Sequence, residues 1–467
     1  MDQNVVKKYN VWQWRTLIIL MIGYALFYFV RKNFSIAMPA LESELGITKT
    51  KLGMFLTLNG VIYGVSRLVN GILSDKIANK KGLMSLGLLL SAIVNIIIGF
   101  IPSVNAFFTV LDAEGKATMG FIYIMGSLWL INGWLQGMGY PPCSSLMAHW
   151  LKPSELATKQ SIWNASHSIG AGLLALMIGA ILGHFSNAAW QWCFWVPAIL
   201  AILGAAMINF GLKNTPEAIG LPPVEQMDDK AVATEEEKED PELTARVYKR
   251  SIREMVLENP IIWILSIADF FVYIIRFTIL DWGSSILTQF KGMNIQTAGT
   301  VVGLMEIVGG IAGMLVAGWV TDKWFKGRAQ RTSAICTFLA AVCLALFWVS
   351  PKDSTFLTVT FIILSAFFIY GPQALLGIAC SNQATKRAAA TANGICGVFA
   401  YLAPIVSGVV FGAITENTGS WNMVFLLSIV MGIIGTIILA AIWNKPGDGY
   451  GKVNRIIAEE KAKMQNH

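Results

Sequence analysis

Apolar residues are gathered into twelve runs, near 17–38, 53–73, 83–102, 119–142, 161–183, 190–212, 260–288, 297–320, 332–350, 356–380, 389–413 and 421–443. About 20 apolar residues in a helix cross the hydrocarbon of a bilayer, so each run predicts one membrane-spanning helix. Between the sixth and seventh runs lies a polar stretch from Lys213 to Glu258, with Glu235-Glu236-Glu237-Lys238-Glu239-Asp240 inside it. Such a segment cannot enter hydrocarbon and reads as a cytoplasmic linker. The pattern predicts an all-α membrane protein with 12 transmembrane helices in two pseudo-symmetric six-helix bundles. The expected divisions are an N-terminal bundle over 1–212, the linker over 213–258, a C-terminal bundle over 259–444 and a cytoplasmic tail over 445–467.

Composition agrees with the pattern. Only 13% of the 467 residues are charged and 55% are apolar, with a mean hydropathy of +0.58. A soluble chain is nearer 25% charged, so the disordered, collagen-like and disulfide-rich classes are excluded and a soluble enzyme is not expected. The net charge of +7 raises nucleic acid as a partner, but no basic stripe with interleaved aromatics is present, so none is expected. Among the Lys and Arg residues, Arg31, Lys32, Arg67 and Arg276 fall within spans. Lys49, Lys51, Lys116, Lys291 and Lys352 fall in loops placed outside, and the rest lie on the other side. That asymmetry places both termini in the cytoplasm. Lys7, Lys8 and Arg15 before the first run superficially suggest a signal peptide. The run is too long for one and contains Arg31, so a retained first helix is expected. The six cysteines lie in or at spans without metal-ligand spacing and are expected to be packing residues, with no metal and no cofactor.

The two halves carry matched text. Tyr24, Tyr28 and Arg31 correspond to Asp269, Tyr273 and Arg276 at one offset of 245. Gly71-Ile-Leu-Ser-Asp75-Lys76 corresponds to Gly318-Trp-Val-Thr-Asp322-Lys323 at an offset of 247, and Tyr140-Pro-Pro more weakly to Tyr370-Gly-Pro. Parallel repeats of this kind form carriers whose substrate site lies between the halves at the midplane. The Gly-x-x-x-Asp-Lys loops resemble the signature of the major facilitator superfamily. That resemblance implies two bundles rocking about a central cavity. Gly71 and Gly318 would allow close helix approach, and Asp75 and Asp322 would complete a cytoplasmic latch.

Arg31 and Arg276 are the residues that demand an explanation. An arginine at a helix centre costs about 2.5–3.5 kcal/mol on insertion scales, so both should face a wet cavity and meet an anion. Tyr24, Tyr28 and Arg31 are spaced four and three apart and share a helix face. Tyr63 stands four before Arg67, and Tyr273 three before Arg276. A guanidinium fork matches phosphate bidentately and stays charged at every physiological pH, so paired arginines suit one oxyanion gripped from both halves. His167, mid-span in Trp163-Asn-Ala-Ser-His167, reads either as a satisfied core residue or as a phosphate donor whose protonation follows that of the ligand. Arg67 reads either as a phosphate ligand or as a partner for a helix end. Lys32, Asp281 and Glu306, with Asp269 beside them, are expected to form ion pairs between the halves that hold a gated state. No nucleophile–base pair is present, so no catalytic residue is expected. A proton-coupled carrier would instead use Asp269, Asp281 or Glu306.

Longer stretches carry a more specific resemblance. Gly23-Tyr-Ala-Leu-Phe-Tyr-Phe-Val-Arg31-Lys-Asn-Phe-Ser-Ile-Ala-Met-Pro39, Gln136-Gly-Met-Gly-Tyr-Pro-Pro-Cys143, Trp163-Asn-Ala-Ser-His167 and Val272-Tyr-Ile-Ile-Arg276-Phe-Thr-Ile-Leu-Asp-Trp282 are similar to organophosphate:phosphate antiporters. The resemblance runs over nearly the whole chain. It implies phosphoryl binding by Arg31 and Arg276, a role for His167, and a basic second-span residue, commonly Lys, that here is Arg67. It also maps the lysine beside the first arginine and the acids of the seventh and eighth spans onto Lys32, Asp281 and Glu306. Members exchange glycerol 3-phosphate, hexose 6-phosphates or phosphoglycerates for inorganic phosphate. The eleventh span, Asn393-Gly-Ile-Cys396-Gly-Val-Phe-Ala-Tyr401, lacks the acid and lysine found there in a hexose-phosphate carrier. Glycerol 3-phosphate is therefore the favoured substrate, with a hexose-6-phosphate antiporter or a hexose-phosphate sensor as alternatives. A monomer in a bacterial inner membrane, alternating access and no enzyme activity are the accompanying expectations.

Overall fold

The computed structural model describes residues 3–227 and 241–465, and at a few helical positions, Asp75 among them, the backbone only. The acidic run Glu235–Asp240 lies outside the described residues. The helices are α1 (Gln3–Leu45), α2 (Lys49–Lys76), α3 (Lys80–Gly99), α4 (Met119–Gln136), α5 (Tyr140–Trp150), α6 (Pro153–Phe185), α7 (Trp192–Gly211) and α8 (Pro241–Ser251). They continue with α9 (Pro260–Asp281), α10 (Ile295–Leu304), α11 (Gly313–Phe325), α12 (Ala329–Val349), α13 (Thr355–Pro404), α14 (Phe411–Thr418), α15 (Asn422–Ala441) and α16 (Tyr450–Gln465).

Among the described residues, 11 helical segments are long and apolar enough to cross a membrane. The remaining expected span, 119–142, is divided. α4 ends in tight turns over Gly137–Gly139, and α5 restarts with prolines in its first turn, where a fixed φ and a missing N–H are tolerated. The tenth and eleventh spans, by contrast, run on as one helical stretch. It is broken by Thr385 at φ 56° and by Ala388 at φ −135°, ψ 15°. Pro404 supplies no backbone N–H, and the chain widens into a π-helical turn over Ile405–Val410 just beyond it. Several starts are capped as the sequence dictates. Asn79, Thr118, Asn294 and Ser354 each accept a backbone N–H from three residues on.

The helices gather into two compact units. One comprises Met1–Glu235 with Asp281–Ile307 and Gly408–Asn417, and the other Glu236–Leu280, Val308–Ser407 and Thr418–His467. In the first, α1 is fixed by a buried amide chain. Asn33 Nδ2 donates to Asn95 Oδ1 at 2.8 Å and to the Cys193 carbonyl at 3.1 Å, while Asn132 Nδ2 donates to the Val30 carbonyl at 2.9 Å. Four helices are thereby pinned around the turn that carries Arg31.

Two glycine seams join helices of this same unit. α6 and α10 run antiparallel, so that a Cβ on Gly299 would stand 2.7 Å from both the Ala175 carbonyl oxygen and Gly179 Cα, and one on Gly303 would stand 3.0 Å from the Gly172 oxygen. A Cβ on Gly408 would stand 2.6 Å from the Gly53 oxygen, and one on Gly412 would stand 2.5 Å from the Lys49 oxygen. Without a hydrophobic drive between helices in lipid, this backbone-to-backbone packing of small residues is what holds them. The α6 seam runs towards the far end of α1 from Gln3, where Asn187 Nδ2 donates to Ser43 Oγ at 3.0 Å and Gln289 Nε2 to Glu42 Oε2 at 2.6 Å.

In the second unit the stretch expected only as a charged tail folds as α16. It lies on α8 through Leu243, Val247, Met255, Val453 and Ile456. Arg250 fastens the pair, donating to Glu254 at 2.5 Å and Glu460 at 2.8 Å and also pairing with Glu459. These bonds hold the Glu254 carboxyl below its usual range against the opposing effect of burial. Glu460 is likewise held low, first by Lys463 and then by Arg250.

Candidate functional site

In the first unit the structure brings together Arg31, Tyr28, Tyr63 and His167. The Arg31 guanidinium lies 4.8 Å from the centre of the Tyr28 ring and 4.2 Å from that of Tyr63. Its Nε donates to Gln136 Oε1 at 3.0 Å, and Gln136 Nε2 donates to Ser91 Oγ at 3.3 Å. The His167 ring stands 5.6 Å from that of Tyr28. Its Nδ1 contacts the Asn164 carbonyl, and its Nε2 lies 3.3 Å from Ser168 Oγ. α1 supplies the spacing that puts Tyr28 and Arg31 on one face, and α2 and α6 supply the facing rings.

Arg67 lies over Tyr140, 4.1 Å from the ring centre. Tyr24 stays in the same neighbourhood, its ring 4.7 Å from Trp163, 5.7 Å from Tyr28 and 6.3 Å from Tyr140. It is 5% exposed and belongs to the apolar core, so it acts as a wall for Tyr28 and Tyr140.

In the second unit Arg276 is built in the same way from different neighbours. Its guanidinium lies 5.5 Å from the Tyr273 ring centre, 5.3 Å from Phe277 and 5.6 Å from Tyr370. Its Nε donates to Gln373 Oε1 at 2.6 Å. Arg276 is buried, and Tyr273 in turn faces Tyr401 at 6.5 Å. Asp269, the counterpart of Tyr24, is buried and accepts from the Cys396 thiol at 3.2 Å.

Lys32 forms an ion pair with Asp281, whose side chains are 13% and 10% exposed. Glu306 is buried in the π-helical turn Met305–Ala312. The latch glycines are placed differently from the expectation: a Cβ on Gly71 or Gly318 would meet no atom of the described residues within 4 Å, so neither marks a close helix approach among them. Close approach is found instead at the seams of Gly299 and Gly408. Asp322 is exposed, and the side chain of Asp75 lies outside the described residues. Among the described residues no group of His, Cys, Asp and Glu could hold a metal ion.

Sequence reasoning missed Gln136 and Gln373. The available signal was a long amide inside an apolar run, each within four residues of a Tyr-Pro-Pro or Tyr-Gly-Pro motif.

Apolar helices long enough to cross a bilayer, with arginines laid on tyrosine rings among them, define a polytopic membrane protein. The sequence matches the Major Facilitator Superfamily over residues 20–407, and the chain belongs to that superfamily. It is 35% identical over 446 residues to the glycerol-3-phosphate transporter of Bacillus subtilis (strain 168), covering 95% of each chain. It is 34% identical over 452 residues to a probable hexose phosphate transport protein of Chlamydia pneumoniae, covering 95% of this chain and 94% of that one. Its fold matches the proton:xylose symporter XylE bound to 6-bromo-6-deoxy-D-glucose with a TM-score of 0.69, at 14% identity and over 96% and 99% of the two chains. The chain therefore has the twelve-helix major facilitator fold.

Proposed function

We propose that this chain exchanges an organic phosphate for inorganic phosphate across a bacterial inner membrane by alternating access, as a monomer with both termini in the cytoplasm. Glycerol 3-phosphate is the favoured organic substrate. The observation that carries the reading is the pair Arg31 and Arg276, at matched positions of the two halves, each laid on tyrosine rings and held at Nε by a neutral amide. A dianion offsets two guanidinium charges placed within the helices and a neutral sugar does not. At about 4 Å and an effective dielectric near 20, each unit pair contributes roughly 4 kcal/mol before desolvation.

In this reading both arginines take the phosphoryl oxygens, with His167 and Arg67 as further donors. Tyr24, Tyr28, Tyr63 and Tyr273 supply walls and hydroxyls. Loading neutralises the arginines and lets the carrier reorient, so that it crosses mainly when occupied and exchange results. Lys32–Asp281, with Glu306, holds a gated state. Gly71, Asp75, Gly318 and Asp322 form the latch of the cytoplasmic side when that side closes.

Hexose 6-phosphate is the second reading, favoured by the near-equal identity to the chlamydial protein. Phosphate-loaded proteoliposomes test both. Labelled phosphate should leave on addition of external glycerol 3-phosphate, with glucose 6-phosphate and 3-phosphoglycerate as competitors. Arg31→Ala and Arg276→Ala should each abolish exchange while the protein remains folded. Exchange retained in both variants refutes the assignment, and binding without flux in the parent supports a sensor instead.

A further inference from the structure

We propose that Gln136 and Gln373 are positioning residues, each holding one phosphate-binding arginine by its Nε–H so that the guanidinium is oriented while its full charge is kept. The inference rests on the phosphate-exchange reading above and extends it to two residues outside the ligand shell.

The contact is the same in both units. Gln136 Oε1 accepts from Arg31 Nε at 3.0 Å, and Gln373 Oε1 accepts from Arg276 Nε at 2.6 Å. It is not inherited from the internal repeat. With Tyr140 set against Tyr370, Gln136 falls opposite Ala366 and Gln373 opposite Cys143. One glutamine stands four residues before its tyrosine and the other three after, so the same bond is reached from two different registers.

A guanidinium has five N–H donors in a fixed fork. Occupying the Nε–H from behind leaves the opposite Nη edge as the one that meets an oxyanion, and the stacked tyrosines fix the plane. Gln136 is itself anchored, its Nε2 donating to Ser91 Oγ at 3.3 Å, so α3, α4 and α1 form one rigid support. The chemistry of the acceptor matters as much as its place. A carboxylate would hold Nε equally well, but its charge would fill the role of the ligand and leave the arginine satisfied without phosphate. The amide supplies a dipole and no net charge.

The test compares Gln136→Met, Gln373→Met, Gln136→Glu and Gln373→Glu with the parent, in reconstituted full-length protein, using inorganic phosphate self-exchange. The half-saturating phosphate concentration is measured from pH 5.5 to 8 and expressed as the ratio of variant to parent, which cancels the titration of phosphate itself. The Met variants should bind phosphate about tenfold more weakly at every pH, the loss of one charge-assisted hydrogen bond. The Glu variants should be weaker still than the Met variants across the whole range, because a carboxylate paired with a guanidinium titrates below the ordinary carboxylate range and keeps its charge. A purely packing role predicts no penalty for Glu, which has the shape of Gln. Glu variants that bind phosphate at least as well as the Met variants, or parent-like affinity in both Met variants, overturn the proposal while leaving the exchange reading intact. A parent that does not self-exchange phosphate overturns both.

Discussion

Gly299→Val should break the α6–α10 seam and shift the carrier away from the arrangement seen here. A Cβ at position 299 would stand 2.7 Å from both Gly179 Cα and the Ala175 oxygen, against an ordinary contact of 3.4–4 Å. Both obstacles are backbone, so no side chain can rotate aside, and the helices must separate by most of an ångström. Overpacking of this kind costs about 1–3 kcal/mol, a shift of roughly 5–150-fold between two states. Phosphate exchange in proteoliposomes should fall at least about fivefold, while gel-filtration behaviour shows the protein still folded. Exchange at the parental rate would refute the view that glycine is required for this approach and that the approach is one state of the cycle.

Lys32→Met or Asp281→Asn alone leaves a charge with its partner gone in a site where both side chains are largely buried, and should lower stability by about 3–5 kcal/mol. The double variant should recover most of that in a thermal unfolding assay. Tyr63→Leu removes the ring 4.2 Å from the Arg31 guanidinium and should weaken phosphate binding by about 2- to 30-fold, whereas Tyr63→Phe, which keeps the ring and loses only the hydroxyl, should lose less in the same exchange assay. Glu254 and Glu460 titrate lower in the fold than when released, so the support they give the α8–α16 pair is complete above the ordinary carboxylate range near 4.3. It drains away as pH falls through the lowered values. Proteolysis of the α16 segment should therefore accelerate below about pH 4 in the parent, and at neutral pH in Arg250→Ala.

The parts of this molecule that were legible in the sequence are those fixed by spacing along one helix. Tyr28 and Arg31, three apart on α1, do share a face, and Tyr273 and Arg276 do the same on α9. Arg67 shows the limit of that reasoning. Spacing on α2 relates it to Tyr63, but its contact with Tyr140, and that of Tyr63 with Arg31, are supplied by neighbouring helices. Gln136, Gln373 and the glycines at 299 and 408 were not legible for the same reason. A glutamine or glycine in an apolar run has no periodic signature, and its meaning lies in an atom of another helix. The C-terminal helix was missed because its apolar positions, Val453 and Ile456, are few and gain a partner only when α8 is laid against them.

Arg31 and Lys32 are adjacent residues on one helix, and the structure treats them in opposite ways. Lys32 is met by the carboxylate of Asp281, an ion pair that already satisfies its charge. Arg31 is met by the Gln136 amide and by two tyrosine faces. A hydrogen bond to a charged group contributes about 1.5–3 kcal/mol, and a desolvated cation–π contact about 2. Together they exceed the roughly 2.5–3.5 kcal/mol that an arginine costs at a helix centre, without cancelling its charge. A site that must attract an anion and then let it go suits that arrangement: a cation held by a neutral amide and two rings, its charge kept for a ligand. The neighbouring lysine, already satisfied, is suited to holding helices together until something competes for its partner. The identity of each residue's acceptor, amide or carboxylate, separates the transport role from the gating role along a single turn of α1.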